Sequence, residues 1–447
     1  IRKILNIQPS KIFNDEIYQE FRRRLLPSEW FFQQGIPLSL DERQERLARS
    51  CNECIKIRGV AGCGKTSILA KRALNAYQKH GNVLILTFNN TLKKLIRDKL
   101  SHINHYSFDD KCDINKIEVS NYHQFFIDQL NNIGIEITVN EYEDDTTYIR
   151  KDFFENKDTI RYKTILIDEV QDYEKEWIYI IRDFFLEKDG EMILFGDRAQ
   201  NIYDRELSRE KNSDDIKKES RQLPRLRGFG STWIELKKSY RNKTSLLTNL
   251  FRDFQEKFLL KKYDNLNMFD RKIRQEILST ELLAFASIPF DDLSSLAQHI
   301  DRMIRIKGFS PNDTTIVAHR KTVLCELEDF FHAQEKTITT FPTKRELKEL
   351  ENLYSSDKEQ KERVIKKLDQ LKKYAFQINS GLLKFATINS FKGMESKTVF
   401  YILDRNDTEE LIYTAITRAR ENLIIYNLGN DTFNKFFDQR MEIISYL

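Results

Sequence analysis

The sequence predicts an α/β protein of two lobes, each built on a parallel sheet, and three observations carry that expectation. From residue 38 to about 110, short apolar runs alternate with helical periods: CIKIRGV and NVLILTF read as strands, with helices starting at Thr66 and Thr91. Two further runs, KTILIDE and EMILFGD, resume the pattern and end in acidic residues. After a polar, charge-rich stretch around residues 205–227, a second series follows: LLAFASI, TTIVAHR, LLKFATI and TVFYILD, with helices over 291–306 and 321–333 between them. Strands separated by helices of this length belong to parallel sheets, because a parallel partner is reached only by a long crossover.

These runs divide the chain into an N-terminal segment, 1–37, a first lobe, 38–235, and a second lobe, 236–447. Two short insertions interrupt the lobes, at about 133–162 and about 343–374; the second is dense in Lys and Glu with apolar residues at helical spacing, and reads as a small helical insertion with a solvated surface. A length of 447 residues exceeds what one core usually fills. Charged residues make up 32% of the chain but the net charge is only +4, so any basic surface is local. Five cysteines do not make a disulfide framework, and no apolar run reaches membrane-spanning length. The expectation is a soluble, cytoplasmic protein. No signal-peptide pattern opens the chain, yet it begins at Ile1, which leaves room for a preceding region.

The chemistry starts at GVAGCGKTS. Gly59, Gly64, Lys65 and Thr66 fit the spacing G-x-x-x-x-G-K-[ST] between a strand and a helix. In such a loop the backbone of Gly59, Ala61, Gly62, Cys63 and Gly64 turns N–H groups toward phosphates at a helix N-terminus, flanked by Ser67. Lys65 brings a point charge to the β and γ phosphates, and the Thr66 hydroxyl can ligate magnesium. The nucleotide expected is ATP with Mg²⁺.

A phosphate loop serves kinases, transporters and motors alike, so a second site must discriminate. ILIDEVQD places Asp168 and Glu169 at a strand end, where Asp168 can hold the metal and Glu169 can take a proton from attacking water. Gln200, past the next strand end in FGDRAQ, can sense the γ phosphate. Arg241 in SYRN and Arg418 in TAITRARE lie in or near the second lobe, placed to neutralise transition-state charge across a cleft.

The ordered series LDERQ, GVAGCGKT, LTFNNTLKKLI, SNYHQF, LIDEVQD, FGDRAQNIY, SYRN, ATINSFKGMES and YTAITRARE resembles the UvrD/Rep-like superfamily 1 helicases, and within them short members joined to NERD-type nuclease domains. The resemblance implies two RecA-like P-loop lobes, an ATP-hydrolysing motor, and 3′-to-5′ travel on single-stranded DNA in repair, processing or defence. It implies that Gln44 reads the adenine and that Glu395 touches the ribose. It also implies a strand path walled by Thr87, Phe88, Asn89, Asn121 and His123 in the first lobe and by Thr387, Asn389 and Lys392 in the second. Single strands are held by phosphate-directed donors and aromatic faces, and Phe88, Tyr122 and Tyr203 stand at loops where they can stack on bases. The chain departs from the family pattern at Arg205, where a stacking tryptophan is usual, and at Asn389, where a histidine is usual.

Small insertions put duplex opening in question. The alternatives are therefore a motor or regulatory subunit of a nuclease system that moves without unwinding, a nucleotide-gated binding module, and action on RNA. Cys51 and Cys54 form one CxxC without two further ligands at zinc spacing, and read as packing residues.

Overall fold

The structure, a computed structural model, describes residues 15–107, 111–138, 141–142, 144–203, 226–241, 245–263, 266–270, 281–288, 293–354 and 357–444. Arg205 and most of the charge-rich stretch after it lie outside the described residues.

Two all-parallel sheets form the two lobes. The first holds β1 (Cys54–Gly59), β2 (Val83–Thr87), β3 (Glu118–Asn121), β4 (Tyr162–Ile167), β5 (Leu186–Gly196) and β6 (Ile234–Leu236), in the order β3-β2-β4-β5-β1-β6. The second holds β7 (Leu283–Ser287), β8 (Thr314–Ala318), β9 (Thr337–Thr339), β10 (Leu383–Thr387), β11 (Ser396–Asp404), β12 (Ala419–Leu428) and β13 (Glu442–Ile443), in the order β13-β7-β12-β11-β8-β10-β9. Every residue of β2, β8 and β10 is buried, because helices cover both faces of each sheet. These are two RecA-like lobes.

The expected helices appear as Lys65–His80, Asn90–His105, Leu293–Lys307 and Lys321–His332. The second insertion is the helical pair Lys344–Leu353 and Lys358–Ala375, begun by a capping box in which Thr343 and Glu346 exchange hydrogen bonds. The first contains 3₁₀ turns at Asp145–Ile149 and Lys151–Phe153. The division expected at 235/236 falls inside β6, so the first sheet ends just before the linker that carries Arg241.

At the foot of the first sheet Arg72 and Glu191 form an ion pair at 2.6 Å, both almost fully buried. Ser50, the Cys51 N–H and Thr164 also donate to Glu191, which satisfies the buried carboxylate. Cys51 packs on Arg72, while burial pushes the Cys54 thiol up, as in a packed and unreactive thiol.

The helices Asp15–Leu25 and Glu29–Gln34 strap the lobes together. Asn312 donates to the Leu26 carbonyl at 2.8 Å and the Glu29 N–H donates to Asp313 at 2.8 Å, which fixes the strap to the second lobe. Tyr106 donates to the Gln34 carbonyl at 3.2 Å and His102 meets the Ile36 carbonyl at 2.9 Å, which fixes it to the first. No helix among the described residues is long and apolar enough to cross a membrane.

Candidate functional site: a nucleotide cleft between the lobes

The strand order makes the site. Because β4, β5 and β1 are neighbours, the loops at their carboxyl ends meet: 60–64 after β1, 168–172 after β4 and 197–200 after β5. Gly62 and Gly64 have positive φ, and each glycine is required by a neighbour as well as by its backbone. A Cβ on Gly64 would fall 2.6 Å from Gln44 Nε2, and one on Gly62 would fall 2.5 Å from Arg241 Cβ.

Lys65 donates to the Gly59 and Val60 carbonyls, at 2.7 and 3.2 Å. Burial works to depress its ammonium, but Cys63, Asp197, Glu169 and Asp168 outweigh it and hold the pKa above the ordinary value. Ser67 accepts a hydrogen bond from Lys99 at 3.3 Å, bringing a cation that sequence reasoning did not single out to the edge of the cleft.

Thr66 donates to Asp168 Oδ2 at 3.1 Å. This hydroxyl and carboxylate are the hard oxygen donors that magnesium prefers. Burial, with Glu169 beside it, raises Asp168 above the ordinary carboxylate value. Glu169 adopts a left-handed backbone at φ 53°, a strained conformation for a non-glycine residue that costs about 1–3 kcal/mol. Burial would raise its carboxyl, but Lys392, Lys65 and Arg418 hold it below the ordinary range, so it stays an anion. Gln171 Nε2 donates to Glu169 Oε2 at 2.5 Å, and Gln171 Oε1 accepts from the Asp197 N–H at 3.0 Å. Gln200 donates to Asp197 Oδ2 at 2.7 Å.

The second lobe closes the cleft. Arg418, 2% exposed, donates to Gln200 Oε1 at 2.8 Å, to the Thr414 carbonyl at 2.9 Å and to the Met394 carbonyl at 3.2 Å. Burial, then repulsion from Arg241, lowers its pKa to about 10, which leaves it charged at neutral pH. Arg241 follows β6 beside the phosphate loop and reaches over to the Thr417 carbonyl and to Glu395, both at 2.5 Å. Burial would raise Glu395, but Arg241, Arg420 and Lys99 bring it to about 2. The sequence-predicted residues Lys65, Thr66, Asp168, Glu169, Gln200, Arg241, Arg418 and Glu395 therefore converge on one cleft.

Gln44 begins its helix in a capping box with Asp41 and donates to the Cys63 carbonyl at 3.0 Å. It borders a cavity of 440 Å³ lined also by Asp41, Cys63, Lys238, Tyr240 and Asp270. Tyr240 hydrogen-bonds Asp41 at its mouth, and it stands in the quoted SYRN beside Arg241.

The expected strand path divides in two. Phe88, Asn89, His123, Tyr203 and Asn389 are half-buried at the top of the lobes. Phe88 lies 4.9 Å from the Tyr203 ring and 6.0 Å from His123, forming an aromatic surface. Thr87, Tyr122, Asn121, Thr387 and Lys392 are buried, which corrects their expected place on the wall. Tyr122 stacks on Trp177 at 4.6 Å and donates to the Tyr148 carbonyl, so it is a core residue. Thr387 and Asn121 cap the helices that follow them. Lys392 is fully buried in an ion pair across the lobes, 2.7 Å from each Asp172 oxygen, and also donates to the Gln200 carbonyl at 2.6 Å. A lysine in that setting has no surface to offer a strand. Asn89 donates to the Asn389 carbonyl and Thr91 to the Ser390 carbonyl, at 3.1 and 2.9 Å, adding two interlobe contacts.

Two family models match the chain, one in each lobe. Residues 44–206 match the AAA domain family, and residues 298–427 match the viral superfamily 1 RNA helicase core domain. Together the matches support a superfamily 1 helicase, which implies nucleotide binding, NTP hydrolysis and a nucleic-acid partner. No curated protein matches the chain.

Proposed function

We propose that this protein is an ATP-driven motor on single-stranded nucleic acid, with DNA as the substrate and 3′-to-5′ travel, as its resemblance implies. The observation that carries the reading is the cleft itself: Thr66, Asp168 and Glu169 of the first lobe are joined through Gln171, Asp197 and Gln200 to Arg418 of the second, beside the loop that holds Lys65. ATP enters between the lobes with its base toward Gln44 and Tyr240 and its ribose toward Glu395. Lys65 exchanges its carbonyl contacts for the phosphates. Thr66 and Asp168 would hold magnesium, which when bound neutralises phosphate charge. Glu169, an anion, accepts the proton of an attacking water, while Arg241 and Arg418 neutralise charge that develops on the transferred phosphoryl group.

Arg418 supports lobe closure only when the lobes meet, so binding and hydrolysis of ATP are tied to closing and opening. Phe88, Tyr203 and His123 supply the stacking faces on top of the first lobe, at about 1–3 kcal/mol per stacked base. ATPase turnover with and without single strands tests the motor. Strong stimulation is expected, and turnover indifferent to nucleic acid would leave only a nucleotide-gated binding module.

The size of the insertions favours translocation over unwinding by this chain alone. Among the described residues, one holds a pair of helices and the other two 3₁₀ turns. Protein displacement from single strands without duplex separation is the expected outcome, serving a nuclease activity; efficient unwinding would remove this part of the reading.

A further inference from the structure

We propose that Asp197 is a positioning residue for hydrolysis: it fixes the Gln200 amide in the one orientation that links the base Glu169 to Arg418 of the other lobe. This rests on the assignment of ATP hydrolysis to the cleft. Four hydrogen bonds run in series. Gln171 Nε2 donates to Glu169 Oε2, the Asp197 N–H donates to Gln171 Oε1, Gln200 Nε2 donates to Asp197 Oδ2, and Arg418 Nη2 donates to Gln200 Oε1. The distances are 2.5, 3.0, 2.7 and 2.8 Å, and each of the five side chains is at most 6% exposed.

The sense of this series is dictated from its ends. An ionised carboxylate only accepts and a guanidinium only donates, whereas an amide has one donor side and one acceptor side. Gln200 lies between Asp197 and Arg418, so only one of its two orientations pairs both sides. Gln171 lies between the Glu169 carboxylate and a peptide N–H, so its orientation is dictated too. Asp197 is in turn pinned by the Ala199 N–H, which donates to its other oxygen at 3.2 Å. No link reverses without leaving a buried polar group unpaired, and such a group is costly. Withdrawal of Arg418 thus releases Gln200, and the loss passes through Asp197 and Gln171 to the base.

The isosteric Asp197→Asn tests the idea. Its oxygen keeps the Ala199 N–H, but its NH₂ faces Gln200, which must turn and set its own NH₂ against Arg418. At saturating ATP and single-stranded DNA, kcat is expected to fall about ten- to a hundredfold, the effect of one mispaired buried hydrogen bond, with KM for ATP within about twofold of the parent. Combined with Arg418→Ala, Asp197→Asn should lower kcat no further, because it acts through that arginine.

A parent that does not turn over ATP would refute the ATPase reading itself, and Arg418→Ala at the parental rate would overturn the series by removing the arginine through which it acts. A slow Arg418→Ala variant, with Asp197→Asn either fully active or multiplying its effect, would instead refute the series alone. A fluorescent ATP analogue reports whether Asp197→Asn is folded. If it is not, Gln171→Met cuts the same series without touching the carboxylate, and must show the same loss of kcat, retained KM and lack of additivity; an additive loss overturns the proposal.

Discussion

Replacing Lys392 by methionine should open the lobes. The ammonium and Asp172 are both fully buried and meet through two 2.7 Å contacts, with the Gln200 carbonyl as a third partner. Methionine fills much of the volume but leaves the Asp172 carboxylate buried without its cation. Breaking a buried pair from one side costs about 3–5 kcal/mol. Separation of the lobes returns Asp172 to water, so the cost falls on closure and not on the folding of either lobe. At 1.4 kcal/mol per factor of ten, the closed-to-open ratio should drop by roughly two to three and a half decades.

Fluorophores at exposed Lys157 in the first lobe and Glu359 in the second would read the distance distribution. A double variant, Lys392→Met with Asp172→Leu, removes both charges; replacement of a buried pair by apolar groups is often near neutral, so most of the closed population should return. A parental distribution in the single variant, or a double variant as open as the single, would refute the reasoning. Loss of strand affinity with closure intact would restore Lys392 to the strand path.

Three further outcomes are expected. Glu169→Gln should bind ATP with parental affinity and lose about a hundredfold or more in single-turnover hydrolysis, the range of a general base; an unchanged rate would remove the base assignment. Gly62→Ala combines a left-handed backbone with a Cβ 2.5 Å from Arg241 Cβ, so it should displace Arg241 and raise the ATP concentration for half-maximal turnover about tenfold; a parental ATP titration would show that the loop absorbs the methyl group. Lys384 is 1% exposed, and burial lowers its ammonium to about 7, against 10.5 for the ordinary side chain. Between those values the unfolded chain binds the extra proton, so the parent gains stability as pH rises, by about 1.4 kcal/mol per unit. Lys384→Met should lack that gain: its stability relative to the parent, from denaturant melts, should decline by about 2.3 kcal/mol between pH 7 and 9, and a constant difference would place the ammonium in water.

The signals that fall where their patterns indicate are those carried by adjacent residues. The phosphate loop, the acids after β4 and most of the strands are contiguous patterns, and each appears where its pattern indicated. β12 was missed although it lies in the middle of the second sheet, between β11 and β7. Its strand begins at Ala419, directly after Arg418, but Arg420, Glu421 and Asn422 are polar, so the apolar run starts only at Leu423. β3, β6, β9 and β13 have four residues or fewer, too short for periodicity to register.

Sequence alone determined the two-lobed α/β architecture and the composition of the cleft, because apolar period and loop chemistry are properties of neighbouring residues. Only tertiary structure decided which polar side chains are spent inside. Lys392 and Asp172 are 220 positions apart, and no local pattern tells a lysine facing phosphate from one desolvated against a carboxylate. The same holds for the orientation of Gln200, which depends on a carboxylate in its own loop and a guanidinium 218 residues away. Burial and the direction of a hydrogen bond arise from packing between distant segments, which no local pattern records.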